Sequence, residues 1–255
     1  MPTRLVHLAV DALSPPDLAR FWAAALDWEV TDEGGGEIDV DPPGHDYPDP
    51  VALPLVFVPV PQPKQGKNRV HLDLATTSLE HQAALVTRLL ELGARPADIG
   101  QGDVPWRVMA DPEGNEFCVL EPREFYRGTG PVAAVVCDCA DPPALAAFWE
   151  QASGWQPRAS DGSGPAGANL DDDWVPMRSP GGTGPFLELL RVPDAKTVKN
   201  RIHLDIAPYR DDDRPTEVQR LRQAGAVPAD VGQGEVSWVV LADPEGGEFC
   251  VLSPR

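Results

Sequence analysis

Two nearly identical segments, KNRVHLDLA at 67–75 and KNRIHLDIA at 199–207, carry Arg, His and Asp at every second position. Alternate side chains of an extended strand share a face, so Arg69, His71 and Asp73 project together, as do Arg201, His203 and Asp205. Val70, Leu72 and Leu74 take the opposite face and are suited to burial. A histidine two residues before a carboxylate can share a proton or a substrate hydroxyl with it. The imidazole then serves as general base, and the carboxylate orients it and raises its pKa. The arginine can neutralise the Asp or grip an anionic group. The same residues also suit a structural arrangement, an Arg–Asp ion pair at the strand edge with the His hydrogen-bonded in the core.

The recurrence extends far beyond these segments. GQGDVPWRVMADPEGNEFCVLEP at 100–122 aligns without gaps to GQGEVSWVVLADPEGGEFCVLSP at 232–254, at an offset of 132. DLARFWAAALDW at 17–28 matches ALAAFWEQASGW at 144–155 more loosely, at an offset of 127. The two halves, 1–126 and 132–255, meet at the Gly/Pro linker RGTGP. A fainter repeat lies inside each half, where VHLAV at 6–10 resembles VHLDL at 70–74.

One half reads as strand 4–12, helix 16–26 and strands near 28–32, 37–41 and 55–60. A second round gives strand 69–75, helix 79–92 and strands near 95–99, 105–110 and 116–121. Ser78 caps the second helix, Leu79, Ala83, Val86 and Leu90 fall on one face, and Gly93 stops it. Asp-Pro-Glu-Gly at 111–114 and 243–246 is turn chemistry joining the last two strands. Each half is thus βαβββ twice over, an α+β chain of four modules. In EFCVLE, Phe117 and Val119 side with the helix, and Glu116, Cys118 and Leu120 side with the His/Asp face. If these strands curl into a cup, its polar lining calls for a ligand.

The chain has 255 residues, 40 acidic against 21 basic, and a formal net charge of −19. Such a field repels phosphate backbones and anionic lipid, so neither nucleic acid nor membrane is an expected partner. No apolar run approaches the roughly 18 residues of a span, and the N-terminus lacks the marks of a signal peptide. Four cysteines, with Cys118 and Cys250 in equivalent places, do not form a secreted disulfide framework, and a cytoplasmic location is expected. Phosphate loops, dinucleotide glycine motifs and nucleophile elbows are missing from the sequence.

The paired βαβββ modules, the VHL strands and the DPEGNEFCVL and DPEGGEFCVL endings resemble the vicinal oxygen chelate superfamily, specifically its glyoxalase-like domains. The resemblance spans nearly the whole chain and implies two half-barrel cups. It also implies enzymes (glyoxalases, extradiol dioxygenases, epimerases, fosfomycin-modifying transferases) beside proteins that sequester bleomycin-type antibiotics. Metal-dependent members draw one ligand from the first and one from the last strand of each module. Carried onto this chain by halves, those positions are His7, Val56, His71 and Cys118, then Ala134, Glu188, His203 and Cys250. Cys118 and Cys250 stand where the family usually has Glu, and Val56 and Ala134 carry no donor. No cofactor is therefore favoured. The alternative is a divalent ion (Zn, Ni, Mn or Fe) on His7, His71 and Cys118 or on Glu188, His203 and Cys250.

The expected function is small-molecule chemistry of the isomerase, lyase or cyclase type, with His71, Asp73, His203 and Asp205 catalytic. His7, Arg69, Trp106, Arg201 and Trp238 would contact substrate, the two tryptophans by stacking on a flat ligand. The alternatives are a non-catalytic binding or antibiotic self-resistance protein, and a metal-dependent glyoxalase or dioxygenase. Trp22, Trp28, Trp149 and Trp155 read as core anchors, Cys137 and Cys139 as core, and His45 and His81 as exposed. The divergent loops 33–53 and 161–185 would cover the cup mouths and set ligand choice. A monomer with an internal pseudo-dimer, or a homodimer, is expected.

Overall fold

A computed structural model of the chain describes residues 3–45, 53–158 and 172–255. The first module comprises β1 (Arg4–Ala12), α1 (Pro15–Leu26), β2 (Glu29–Gly34), β3 (Glu37–Asp41) and β4 (Leu55–Pro59). The second comprises β5 (Val70–Leu74), α2 (Leu79–Glu91), β6 (Arg95–Pro96), β7 (Arg107–Ala110) and β8 (Glu116–Val119). In the third are β9 (Val132–Cys139), α3 (Pro142–Ser153), β10 (Gln156–Pro157), β11 (Trp174–Arg178) and β12 (Phe186–Arg191). The fourth holds β13 (Ile202–Ala207), α4 (Arg214–Gln223), β14 (Val227–Pro228), β15 (Val239–Ala242) and β16 (Glu248–Val251). The expected α+β class and its four βαβββ modules are all present.

The sheets join modules from different halves. One runs β14-β15-β16-β13-β1-β4-β3-β2, and the other runs β10-β11-β12-β9-β5-β8-β7-β6. Inside a module the first strand lies parallel to the last, as a helical crossover requires. Between modules β1 pairs antiparallel with β13, and β5 with β9. The first module therefore shares its sheet with the fourth, and the second with the third. Neither half closes a cup by itself.

Modules of the same half meet instead behind the sheets. Trp22 on α1 packs its ring 5.1 Å from that of Phe117 on β8 and donates its indole N–H to Asp111 at 3.2 Å. Trp149 on α3 packs 5.4 Å from Phe249 on β16. The glutamates of the DPEG turns reach the same helices. Glu113 accepts the backbone N–H groups of Leu13 and Ser14, each at 2.9 Å, and Glu245 accepts those of Ala140 and Asp141, each at 2.6 Å. A carboxylate at a helix N-terminus satisfies orphan donors and complements the helix dipole. Turn residues that read only as hairpin chemistry thus also fasten the helix of the neighbouring module.

Trp22, Trp149 and Trp155 are buried and Trp28 is half-buried, while Cys137 and Cys139 sit in the helix-side core. Ser78 caps α2 by accepting the His81 N–H, and Gly93 takes a φ of +106° just beyond its end. The inward face of α2 differs from the expected one. Leu79 and Leu90 are exposed, and Gln82 and Leu89 are buried instead. Gln82 occupies the face by donating to the carbonyls of Pro105 and Val119, so the helix turns a polar residue to the sheet end where two carbonyls need a donor.

Candidate functional site

Each sheet curls around a cavity, and the two cavities differ chemically. The cup of β1, β4, β3, β13 and β16 encloses about 710 Å³ and is lined by His7, Val56, His203, Asp205, Trp238 and Cys250, among others. β1 and β13 lie side by side here with His7 opposite Asp205. The His7 Nε2 stands 2.9 Å from Asp205 Oδ2. On the same strand as the carboxylate, His203 Nε2 lies 3.2 Å from Asp205 Oδ1 and 3.5 Å from the Cys250 Sγ. One carboxylate thus stands between two imidazoles from different halves. Burial alone would push the Asp205 carboxyl up, but His203 and His7 outweigh it and hold it well below the usual carboxylate range.

The cup of β5, β8, β9 and β12 encloses about 770 Å³, lined by His71, Asp73, Trp106, Cys118, Arg123 and Glu188 with apolar Ile99, Leu120, Val136 and Leu190. The position that His7 fills in the first cup is Ala134 here, so no second imidazole faces Asp73. His71 Nε2 stands 3.5 Å from Asp73 Oδ1, beyond a good hydrogen bond, and that oxygen has no hydrogen-bond partner. Glu188 is buried and accepts from Tyr126 Oη at 2.9 Å and Trp174 Nε1 at 3.0 Å. Burial, then the Asp73 charge, raises its pKa to about 7 against those two hydrogen bonds.

The sets of four assumed along each half do not meet. His7 joins His203 and Cys250, and Glu188 joins His71 and Cys118, because the sheets exchange modules between halves. The sets His7, His71 and Cys118, and Glu188, His203 and Cys250, are thus each split between two cups on different sheets and do not gather around one ion. The regrouped family positions also fit an ion poorly. Val56 and Ala134 supply no donor, both Glu188 oxygens already accept hydrogen bonds, and His7 is turned onto Asp205. With no cation beside them, burial and the adjacent Asp205 or Asp73 push the Cys250 and Cys118 thiols far above their usual range. A different trio does gather in each cup. His71, Asp73 and Cys118, and likewise His203, Asp205 and Cys250, bring one donor atom each within 4.8 Å of one another.

Arg69 and Arg201 both line the second cup, and each is held there by its neighbours. Arg201 donates to the carbonyls of Gln62 and Asp11 and to the Glu113 carboxylate at 2.9 Å, clasping the fourth module to the first and second. Arg69 donates to the carbonyls of Asp138 and Asp194. Neither guanidinium pairs with the Asp two strand positions away on its own face, contrary to the Arg–Asp ion pair expected from the spacing. Trp106 and Trp238 are half-buried and line their cups, and each indole N–H is held by a glutamine, Gln101 at 2.8 Å and Gln233 at 3.1 Å. Their rings are thereby fixed as walls. His45, expected in the open, is half-buried and lines the first cup. His81 is exposed as expected. The expectation for the long loops falls partly on residues 46–52 and 159–171, outside the described residues; Pro42, Gly44 and His45 of the first loop do line the first cup. Among the described residues no helix is long and apolar enough to cross a membrane.

The fold has close counterparts. The chain is similar to glyoxalase I from Zea mays, with a TM-score of 0.63 at 13% identity over 98% of this chain and 92% of that one. It is also similar to a putative dioxygenase from Bacillus subtilis, with a TM-score of 0.60 at 14% identity over 98% of this chain and 84% of that one. At such identities the likeness is one of fold alone. Among curated proteins none matches this sequence. The model of the glyoxalase-like domain matches twice, at residues 7–120 and 134–252. The chain belongs to the glyoxalase-like domain family and carries two copies of that domain in tandem.

Proposed function

We propose that the chain is an enzyme that moves a proton on a small organic substrate held in the first cup. The observation that carries this reading is the 2.9 Å contact between His7 Nε2 and Asp205 Oδ2 in the lining of a 710 Å³ cavity. An ionised Asp205 accepts the Nε2–H of His7 and fixes its tautomer, which leaves Nδ1 as the basic nitrogen. His203 adds a second contact to the same carboxylate and stabilises its charge. In the reaction a substrate C–H or O–H bond breaks, its proton passes to His7 Nδ1, and its electron pair stays on the substrate. Return of the proton at a neighbouring atom gives isomerisation, and expulsion of a leaving group gives lyase chemistry. His7 is thus the base, with Asp205 its orienter and Trp238 a wall.

A second reading applies to the second cup. It lacks the extra imidazole, keeps Glu188 tied to Tyr126 and Trp174, and offers Trp106 with aliphatic side chains such as Ile99, Leu120, Val136 and Leu190. These features favour holding a ligand over turning it over, as in a binding or self-resistance protein. Solvent-deuterium exchange into a panel of carbon acids, α-hydroxy ketones and β-keto acids included, tests the catalytic reading by NMR. Exchange that His7→Ala abolishes supports it, and exchange that survives His7→Ala sinks it.

A further inference from the structure

The second cup holds hydrogen-bonding groups that the protein itself leaves unanswered. Asp73 lies directly opposite Ala134 in the β5–β9 ladder, where the first cup sets His7 opposite Asp205. In the first cup that imidazole turns onto the carboxylate, whereas the methyl group of Ala134 offers nothing. Asp73 is 8% exposed and lines the cavity, and its Oδ1 has no hydrogen-bond partner. His71 Nε2 stands 3.5 Å from that oxygen, beyond a good hydrogen bond, and the neighbouring Cys118 thiol is a weak donor. A buried acceptor without a partner is rare in a folded protein and calls for a donor from elsewhere.

The same cavity holds donors without an acceptor. Arg123 follows β8, has a side chain 10% exposed, and donates its Nε to Glu121 at 2.7 Å. Neither of its Nη atoms makes a hydrogen bond among the described residues. Every other Lys or Arg of the lining is engaged at its tip: Lys67 by Asp138, Lys196 by Glu248, Lys199 by Asp11, Arg201 by Glu113 and Arg69 by two carbonyls. The Arg123 guanidinium lies 5.5 Å from the centre of the Trp106 ring, which Gln101 fixes in place. A pinned indole beside aliphatic walls suits a flat molecule.

We infer that the second cup binds a flat ring compound that carries an O–H or N–H donor for Asp73 and a carbonyl oxygen for Arg123, with its ring against Trp106. A neutral carbonyl suits the guanidinium better than a carboxylate, because Glu121 already pairs with it and Asp73 shares the cavity. The inference rests on the reading of this cup as one that holds a ligand, and it adds the class of ligand.

The test is titration calorimetry of the full chain at pH 6 with umbelliferone, a neutral fused-ring phenol with a lactone carbonyl. Its methyl ether, which keeps ring and carbonyl and loses the donor, is the comparison. Umbelliferone is expected to bind at one saturable site. The ether should bind about tenfold or more weakly, as loss of a donor to a buried acceptor implies. Asp73→Ala should bring the two affinities together. Arg123→Met and Trp106→Ala should weaken both compounds and leave their ratio unchanged. Absence of saturable binding overturns the inference. So does equal binding of the two compounds by the wild-type chain, a comparison that no misfolded variant can confound. Binding that survives Trp106→Ala at full strength places the ligand outside this cup and overturns it as well. The two readings fail separately. Umbelliferone preferred over its ether but recovered chemically altered would keep the donor–acceptor site and remove the holding role. Equal binding with both compounds recovered intact would do the reverse.

Discussion

His7 and Asp205 are 198 residues apart in the chain and 2.9 Å apart in the cup, each contributed by a different half of the tandem repeat. The contact gives His7 the partner that its own module lacks. It also makes the first cup chemically unlike the second, where Ala134 stands in its place. Two cups of common descent have come to hold different constellations because each draws on two modules free to change independently.

A base and its orienter should separate in kinetics. His7→Ala is expected to lower kcat by about two to four orders of magnitude, the usual contribution of a positioned base. Ligand affinity should change little. Asp205→Asn should also lower kcat and should displace the pH–rate profile, because the amide neither stabilises an imidazolium nor fixes its tautomer. The check is a kcat profile from pH 5 to 9 for wild type and both variants; an unchanged profile for Asp205→Asn would remove the orienting role.

The two equivalent arginines should differ in stability effects. Arg201 and Glu113 form an ion pair with side chains 9% and 11% exposed, and Glu113 also holds Leu13 and Ser14. Arg201→Ala leaves that carboxylate buried and is expected to cost about 3 kcal/mol. Arg69 makes only two hydrogen bonds to carbonyls, so Arg69→Ala should cost about 1 kcal/mol. Urea denaturation of the two variants measures the contrast.

Much of this was legible in the sequence, for identifiable physical reasons. The alternation in VHLDL assigned the faces of β5 because strand period and burial agree, and Ser78 and Gly93 bounded α2 because caps act locally. Similarity, however, reports descent and not adjacency. VHLAV, VHLDL and IHLDI present nearly the same edge, so the sequence alone could not say whether β1 would pair with β5 or with β13. The grouping of site residues failed at that step. The Arg–Asp pairs that the spacing allowed do not form, because strand parity fixes a direction, whereas a long side chain reaches backbone carbonyls beyond its own face.

Chelation should leave turnover intact. The family ligand positions lack one donor per cup, and His7 and both oxygens of Glu188 are already engaged by protein groups. Elemental analysis after dialysis against a chelator is expected to find substoichiometric metal, with kcat retained and Cys250→Ser near wild type. Tightly held stoichiometric zinc, lost with Cys250→Ser, would instead assign an ion to His203, Asp205 and Cys250.

Glu188 makes stability fall as pH rises through neutrality. Its carboxyl is raised from 4.5 to about 7 in the folded chain, chiefly by burial. Between those values the folded state holds more protons than the unfolded state, so unfolding is favoured as pH increases. The contribution is whole below about pH 4.5 and gone above about pH 7; at 1.36 kcal/mol per unit it amounts to about 3 kcal/mol. Asp243, raised to about 6 by burial, acts with the same sign over a lower window. Tm should therefore decline between pH 5 and 8 in low-salt buffer. Glu188→Gln keeps an acceptor for Tyr126 or Trp174 but does not titrate, so its decline over that range should be distinctly shallower. A variant curve parallel to that of wild type would show that Glu188 ionises at its ordinary value despite its burial.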